Sequence, residues 1–210
     1  MARARLAALL VAPLAFGLTA CGGDDTGGLP TVSSAPTESS SSTPATSATP
    51  TVAPTTAPAS TTQKYGALTL VINHKPTPPA NATLVLQAYD EFEQSSNKAQ
   101  ATNVEDQVLA RRATGAALQY IRDALKEQKA AKERTGGQIT VTTKVAKIGS
   151  GVAGLDTCYD QSKSTLIRAD GTSYRDSVLK QYPRLKVSVI LVNISGIWKV
   201  SEYNVKSEAC

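Results

Sequence analysis

The chain holds a single histidine among its 210 residues, with one tryptophan, one methionine and two phenylalanines. His74 lies beside the proline-rich segment Lys75-Pro76-Thr77-Pro78-Pro79, with no second histidine or cysteine at ligand spacing. A metal site is therefore not expected, and His74 reads as an exposed residue. A Ser/His/Asp triad would have to recruit the same histidine, which argues against nucleophilic hydrolysis. No Walker motif is present, and no Gly-x-Gly-x-x-Gly follows a strand, so no nucleotide cofactor is expected. The net charge of +5 is spread along the chain, without a basic run interleaved with aromatics. Nucleic acid is not an expected partner. No apolar run reaches the ~20 residues that a spanning helix needs.

What the chain does have stands at its start. Arg3 and Arg5 precede a nearly uninterrupted apolar stretch, Leu6 to Leu18, broken only by Pro13 and Gly17. Leu18-Thr19-Ala20-Cys21 then reads as a bacterial lipobox, with small residues before the cleavage point. An uncleaved membrane helix fails on length, since Gly22-Gly23-Asp24-Asp25 follows at once. An ordinary secretory signal with an accidental Cys21 is the other reading. The expectation is a signal peptide over 1–20 and lipid on Cys21. That would place the protein at the cell membrane, on its extracytoplasmic face, through two or more acyl chains such as palmitate, which anchor stably where one does not.

Gly22 to about Thr62 is dominated by Ser, Thr, Pro and Ala and contains no aromatic residue. Such a composition cannot bury enough apolar surface to offset its ordering entropy. The expected reading of 21–62 is the lipidated cysteine followed by a disordered tether. As a coil of roughly 40 residues it would reach roughly 35 Å root-mean-square. Its Ser and Thr density would also suit O-glycosylation, although a plain spacer is preferred.

Residues 63–210 are one domain's worth of chain. With Arg3 and Arg5 removed, and Asp24, Asp25 and Glu38 left in the tether, the domain keeps an excess of about six positive charges. Attraction to anionic lipid or wall polymer is the natural use of such an excess. Cys158 and Cys210 remain once Cys21 is acylated, and in an oxidising location they are expected to be bonded. The loop of roughly 50 residues would be worth about 4 kcal/mol by chain-entropy reasoning, and it would pin the C-terminus. Two free thiols are the alternative.

Leu68, Leu70 and Ile72 alternate in a short strand over Tyr65 to Asn73. Asn81 is placed to cap a helix running to about Ser95, with Leu84, Val85, Ala88, Tyr89 and Phe92 at helical spacing. Gln94 to Asn103 reads as loop, Val104 to Arg112 as a second helix, and Gly115 to Glu133 as a third, stopped by Gly136-Gly137. Beyond Gly137 the period becomes two. Ile139 to Val145 is a strand, Val152 to Cys158 and Ser164 to Arg168 form a hairpin around Asp160-Gln161-Ser162-Lys163, and Leu185 to Ile194 and Ile197 to Val205 close the sheet. Helices followed by antiparallel strands define an α+β fold, with three N-terminal helices packed on one side of the sheet.

Three short stretches carry a resemblance. They are the break Ala113-Thr114-Gly115, the strand end Asp156-Thr157-Cys158-Tyr159-Asp160, and Gly196-Ile197-Trp198-Lys199-Val200 with Cys210 behind it. Over 81–210 the chain resembles the NTF2-like (SnoaL-like) fold, and within it a set of actinobacterial lipoproteins and membrane-anchored proteins. The segment 63–80 lies outside the resemblance. The likeness implies a curved antiparallel sheet wrapped around the first helix as a cone, and a bond between Cys158 and Cys210. It also implies a pocket whose candidate residues are Tyr89, Tyr120 and Asp156. Enzymes of this fold use an Asp or His base with a Tyr or Asp donor, and none of the three residues fits that role well. Tyr89 and Tyr120 read better as core, Asp156 as a turn or surface residue, and Trp198 as a core anchor.

The expected function is a non-catalytic accessory or binding module, meeting another envelope protein or a small apolar ligand in the cone. The alternatives are an isomerase or dehydratase acting on an apolar molecule, and a structural spacer in the wall.

Overall fold

The computed structural model describes residues 60–210. The signal over 1–20, the lipobox with Cys21 and the tether as far as residue 59 lie outside the described residues. The tether boundary moves inward, because Ser60 to Thr62 already belong to a strand. The first two strands, β1 (Ser60–Tyr65) and β2 (Leu68–His74), form a hairpin ahead of every helix. There follow α1 (Thr83–Thr102), α2 (Gln107–Arg112) and α3 (Gly115–Ala130). The chain continues through β3 (Glu133–Ile148), β4 (Val152–Arg168), β5 (Ser173–Tyr174), α4 (Ser177–Gln181), β6 (Arg184–Ile194) and β7 (Ile197–Lys206).

The strands make one sheet in the order β1-β2-β3-β4-β6-β7, with β5 on the far end of β4. The α+β class holds, with two corrections. The helices sit between β2 and β3 instead of leading the domain. The sheet is mixed, because β2 runs parallel to β3. Parallel neighbours need a long crossover, and the three helices supply it. Alternation in Leu68, Leu70 and Ile72 announces a strand but carries no information about the direction of its partner.

Five further expectations change. The first helix runs on to Thr102, through the stretch that reads as loop. Ser95, Ser96 and Asn97 are buried in it, and Ser96 Oγ and Asn97 Nδ2 donate back to the Glu93 carbonyl oxygen at 3.2 and 2.9 Å. Asn103 ends it in the left-handed region at φ 60°. Asn81 lies inside a 3-10 turn, Ala80–Ala82, and does not cap. Leu84, placed by its spacing on the apolar stripe, is 66% exposed.

The third helix stops at Ala130 and does not wait for the glycine pair. Lys132 turns the chain at φ 55°, and Gly136 and Gly137 lie within β3. There a backbone passes close by. A Cβ on Gly137, whose φ is +77°, would stand 2.2 Å from the Lys163 carbonyl oxygen.

The hairpin expected at Asp160-Gln161-Ser162-Lys163 is a β-bulge inside one 17-residue strand. Gln138 pairs with Lys163 and Thr140 with Asp160, so β4 advances three residues while β3 advances two. The Asp160 carboxylate accepts from Ser162 N at 2.9 Å, which makes the polar run look like a turn in sequence. The short α4 gives no sequence signal; Asp176 caps it through Leu179 N at 2.8 Å.

The core lies between the helices and one face of the sheet. Leu68, Leu70 and Ile72, then Ile139 and Val141, then Leu155, Val187, Val189 and Leu191 meet Val85, Leu86, Tyr89 and Phe92 of α1 and Ile121 and Leu125 of α3. Trp198 packs half-buried against this cluster. A disulfide joins Cys158 in β4 to Cys210.

Gly137→Ala will test the close crossing of β3 and β4. The added methyl group meets fixed backbone and adopts a left-handed φ, so a loss of about 3 kcal/mol or more is expected from the urea midpoint.

Candidate functional site

Tyr89, Glu93 and Asn97 follow one another at intervals of four on α1, which stacks them on one face of the helix. That face looks into the core, and Glu93 is 1% exposed. Tyr89 donates its hydroxyl to Glu93 Oε1 at 2.7 Å, and Asn97 Nδ2 donates to Oε2 at 3.1 Å. From β4, Tyr159 donates to Asn97 Oδ1 at 2.7 Å. From β7, the Tyr203 hydroxyl also faces the Glu93 carboxyl and favours its charged form. Its ring stands 5.6 Å from that of Phe92 and 5.8 Å from that of Tyr120 on α3. One carboxylate is thus surrounded by tyrosines from two helices and two strands.

Burial pushes the Glu93 carboxyl up to about 7, against the hydrogen bonds from Tyr89 and Asn97 and the facing Tyr203 hydroxyl, which pull it down. Burial and the Glu93 charge also raise the hydroxyls of Tyr89, Tyr159 and Tyr203 well above the ordinary phenol value. These phenols therefore act as donors throughout the physiological range.

A second buried pair lies one helical turn away. His74 Nε2 is 2.9 Å from Asp90 Oδ1, and both residues are buried. This corrects the expectation of an exposed His74. The inward positions of β2 are Leu68, Leu70, Ile72 and then His74, so the strand's own alternation carries the ring into the core. His74 stands beside Thr143 in the parallel register. The Thr143 and Thr157 hydroxyls are 3.3 Å apart, and Thr157 lies close enough to Tyr89 to favour ionisation of its phenol. The polar groups thus form a layer from β2 to β7 under α1.

The pocket candidates separate. Tyr89 belongs to the cluster, and Tyr120 is half-buried at its edge. Asp156 does not belong to it. Its neighbours Leu155 and Thr157 point inward, so Asp156 is exposed on the opposite face, paired across the strands with Lys144 and Ser188. Sequence reasoning misses Glu93, Asn97, Asp90, Tyr159 and Tyr203. The spacing of four from Tyr89 to Asn97 is the available signal. A glutamate on an apolar stripe reads as the approach to a loop because polar residues follow it.

The arrangement has the parts of an acid–base centre, namely a carboxyl near neutrality and neighbouring hydroxyl donors. It is also closed. Glu93 Oε1 and Oε2 are both engaged by the chain's own side chains. One surface hollow, of about 300 Å³, is lined by Glu105, Arg122, Leu125, Lys126 and Lys129. Another, of about 90 Å³, is lined by Gln138, Thr140, Asp160, Ser162 and Lys163, and neither of these touches Glu93. Among the described residues no group of three or more His, Cys, Asp or Glu is arranged to hold a metal ion. No helix among them is long and apolar enough to cross a membrane.

The described residues define an α+β domain with a carboxylate–tyrosine cluster sealed beneath its longest helix. No family model matches the chain. No curated protein matches it in sequence. Solved structures share parts of its outline at low identity. The intermembrane space region of the chloroplast protein ARC6 is 11% identical, with a TM-score of 0.46, over 62% of this chain and 100% of that one. Aln2 from a Streptomyces species is 16% identical, with a TM-score of 0.35, over 61% of this chain and 91% of that one. A putative calcium/calmodulin dependent protein kinase II association domain from Xanthomonas campestris is 9% identical, with a TM-score of 0.34, over 61% and 86%.

Glu93 predicts an unusual pH dependence. Its carboxyl lies above the ordinary 4.5, so the folded chain holds the proton that the unfolded chain releases. The stabilisation is complete below about pH 4.5 and is lost as pH rises through about 7, a change of about 3 kcal/mol. Burial also raises the Asp90 carboxyl, which acts in the same direction. Urea titrations between about pH 5 and about pH 8 should show native stability falling more steeply than that of Glu93→Gln. Coincident pH profiles would show that Glu93 titrates normally.

Tyr159→Phe leaves Asn97 Oδ1 without its donor inside the core. It should lower stability by about 1–3 kcal/mol in the same titrations.

Proposed function

We propose that this protein is a membrane-anchored lipoprotein of the cell envelope, carrying a non-catalytic NTF2-like accessory domain on a tether. The observation that carries the non-catalytic half is the closure of Glu93. The most chemically equipped group of the interior has both oxygens bonded within the chain and 1% exposure, so a substrate would have to displace the protein's own donors. A small apolar ligand in the cone is a poor match for a core lined by a carboxylate and four phenols. A macromolecular partner met on the outside, such as another envelope protein, fits better.

The anchor half rests on Leu18-Thr19-Ala20-Cys21 behind its apolar segment. The bond between Cys158 and Cys210 suits an oxidising, extracytoplasmic compartment. The NTF2-like reading is supported by the order of pieces, three helices ahead of the run β3 to β7. The β1–β2 hairpin then adds a parallel strand beside β3.

A second reading keeps one observation in its favour. A carboxyl raised to about 7 beside hydroxyl donors is the equipment of an isomerase or dehydratase. It would require α1 to move aside for substrate.

Metabolic labelling with palmitate, followed by fractionation, tests the anchor. The native chain should carry label and pellet with membranes, and Cys21→Ser should lose the label. An unlabelled native chain recovered from the cytosol would overturn the reading.

A further inference from the structure

We propose that the outer face of the sheet, at the end formed by the β3–β4 and β6–β7 turns, docks on an anionic lipid surface. The inference rests on the lipid anchor at Cys21 and adds an orientation to it.

Directly paired residues of an antiparallel ladder share a face. On the face turned away from the helices, Val152 pairs with Val192, Ile194 with Ile197, and Gly154 with Ile190. Their sequence neighbours Leu191 and Val189 point into the core. Val152 is 49% exposed, Ile194 46% and Ile197 41%, and they adjoin the partly covered Val192 and Ile190. Leu84 and Val104 are as exposed but stand alone on other elements, as scattered apolar residues of a soluble surface do. The Asn193 amide donates to the Gly151 carbonyl oxygen at 2.8 Å and holds the two turns side by side. The branched side chains therefore form one continuous edge.

Charge bears on what would cover this edge. Lys147 lies opposite Gly154, Lys144 beyond it opposite the acidic Asp156, Lys199 opposite Val192 and the acidic Glu202 opposite Ile190, so the face keeps a small positive excess. Lys199 also reaches the Ala110 carbonyl oxygen at 3.3 Å. An anionic bilayer surface pairs the lysines with headgroups and gives the isoleucines and valines an apolar boundary.

The chain's course agrees. Ser60 pairs with Asn73, which stands beside Thr142, whereas Tyr65 pairs with Leu68 beside Gly137. Because β3 runs from Gly137 toward Ile148, β1 starts nearer the end that carries the β3–β4 and β6–β7 turns. The segment leading back to Cys21 therefore meets the domain toward its proposed membrane end. A lipid at Cys21 also keeps the domain near the bilayer, so a weak contact is held at high effective concentration.

The test uses the mature acylated full chain in vesicles of phosphatidylcholine, with or without phosphatidylglycerol, and an environment-sensitive fluorophore on Ser195→Cys. Emission should move to the blue on phosphatidylglycerol vesicles alone. The shift should vanish in the Ile194→Ser, Ile197→Ser double variant, whose replaced side chains are already exposed in the fold. Lys147→Ala should weaken the docked partition about five-fold, and added salt should weaken it as well. A chain that floats with both vesicles while its probe stays at the aqueous emission overturns docking and leaves the anchor standing. A chain that floats with neither overturns the anchor and docking together. A blue shift without vesicles that grows with protein concentration assigns the edge to a second copy instead.

Discussion

Glu93 reaches the middle of the core on a helix, and a carboxyl taken out of water costs several kcal/mol unless other groups satisfy it. The partners come from far along the chain. Tyr89 and Asn97 lie on the same helix, but Tyr159 is 62 residues beyond Asn97, and Tyr203 is on the last long strand. The cluster is satisfied only when α1 lies across β4 and β7 at one height and one rotation. A slip by one turn would part the Asn97 amide oxygen from the Tyr159 hydroxyl and carry the Glu93 carboxyl away from Tyr203, while the bonds of Tyr89 and Asn97 to Glu93 travel with the helix. Apolar packing alone tolerates such slips far better, because one aliphatic contact substitutes for another. The polar layer is thus the element of specificity in an otherwise aliphatic interior.

The same helix is held on its other flank by the pair His74 and Asp90. That pair fixes β2, and through β2 the parallel ladder with β3. Loop closure makes a parallel pair with a long crossover entropically costly to form. The crossover here is itself the three helices, so packing α1 on the sheet and pairing β2 with β3 are one event. On the surface, Arg112 extends the arrangement from α2. Its Nε donates to Glu91 of α1 at 2.8 Å and its Nη1 to the Trp198 carbonyl oxygen at 3.4 Å. Such exposed pairs add little stability singly, but they connect α1, α2 and β7 where the core cluster already places them.

Sequence periodicity suffices to locate β6, β7 and α3, because each keeps an unbroken apolar face toward the core. Leu185, Val187, Val189 and Leu191 form one side of a strand in sequence and in structure, and Ala117, Ile121 and Leu125 one side of a helix. Periodicity fails where polar residues serve the interior. Ser95, Ser96 and Asn97 look like a loop, yet inside the helix Ser95 donates to Asp106, Ser96 to the Glu93 carbonyl oxygen and Asn97 to the Glu93 carboxyl. Asp160 to Lys163 looks like a turn because an Asx-type bond and a bulge use the same residues. His74 is misplaced for a simpler reason: the alternation of β2 continues one step past Ile72, into a segment that its prolines make look irregular. The pairing of β2 with β3 is a long-range choice, and nothing in either strand alone encodes it.

A core completed by its own polar groups has consequences for where activity can reside. An open acid–base site needs a group with an unfilled valence facing a cavity. Glu93 has the protonation behaviour of such a group and the geometry of a structural one, with each oxygen already bonded and rings on every side. Converting it to catalysis would require removing Tyr89 or Asn97 from the carboxylate, and moving Asn97 would also part it from Tyr159, the bond that ties α1 to β4. Stability and catalysis therefore compete for the same atoms, and in this fold stability holds them. Outside, the sheet has a face that none of the described helices covers. There the alternation that buries Val189 and Leu191 necessarily turns Ile190, Val192 and Ile194 to the solvent side. Branched apolar residues on both faces suit a strand buried on both sides, and β6 carries that pattern with only one face covered by the described residues.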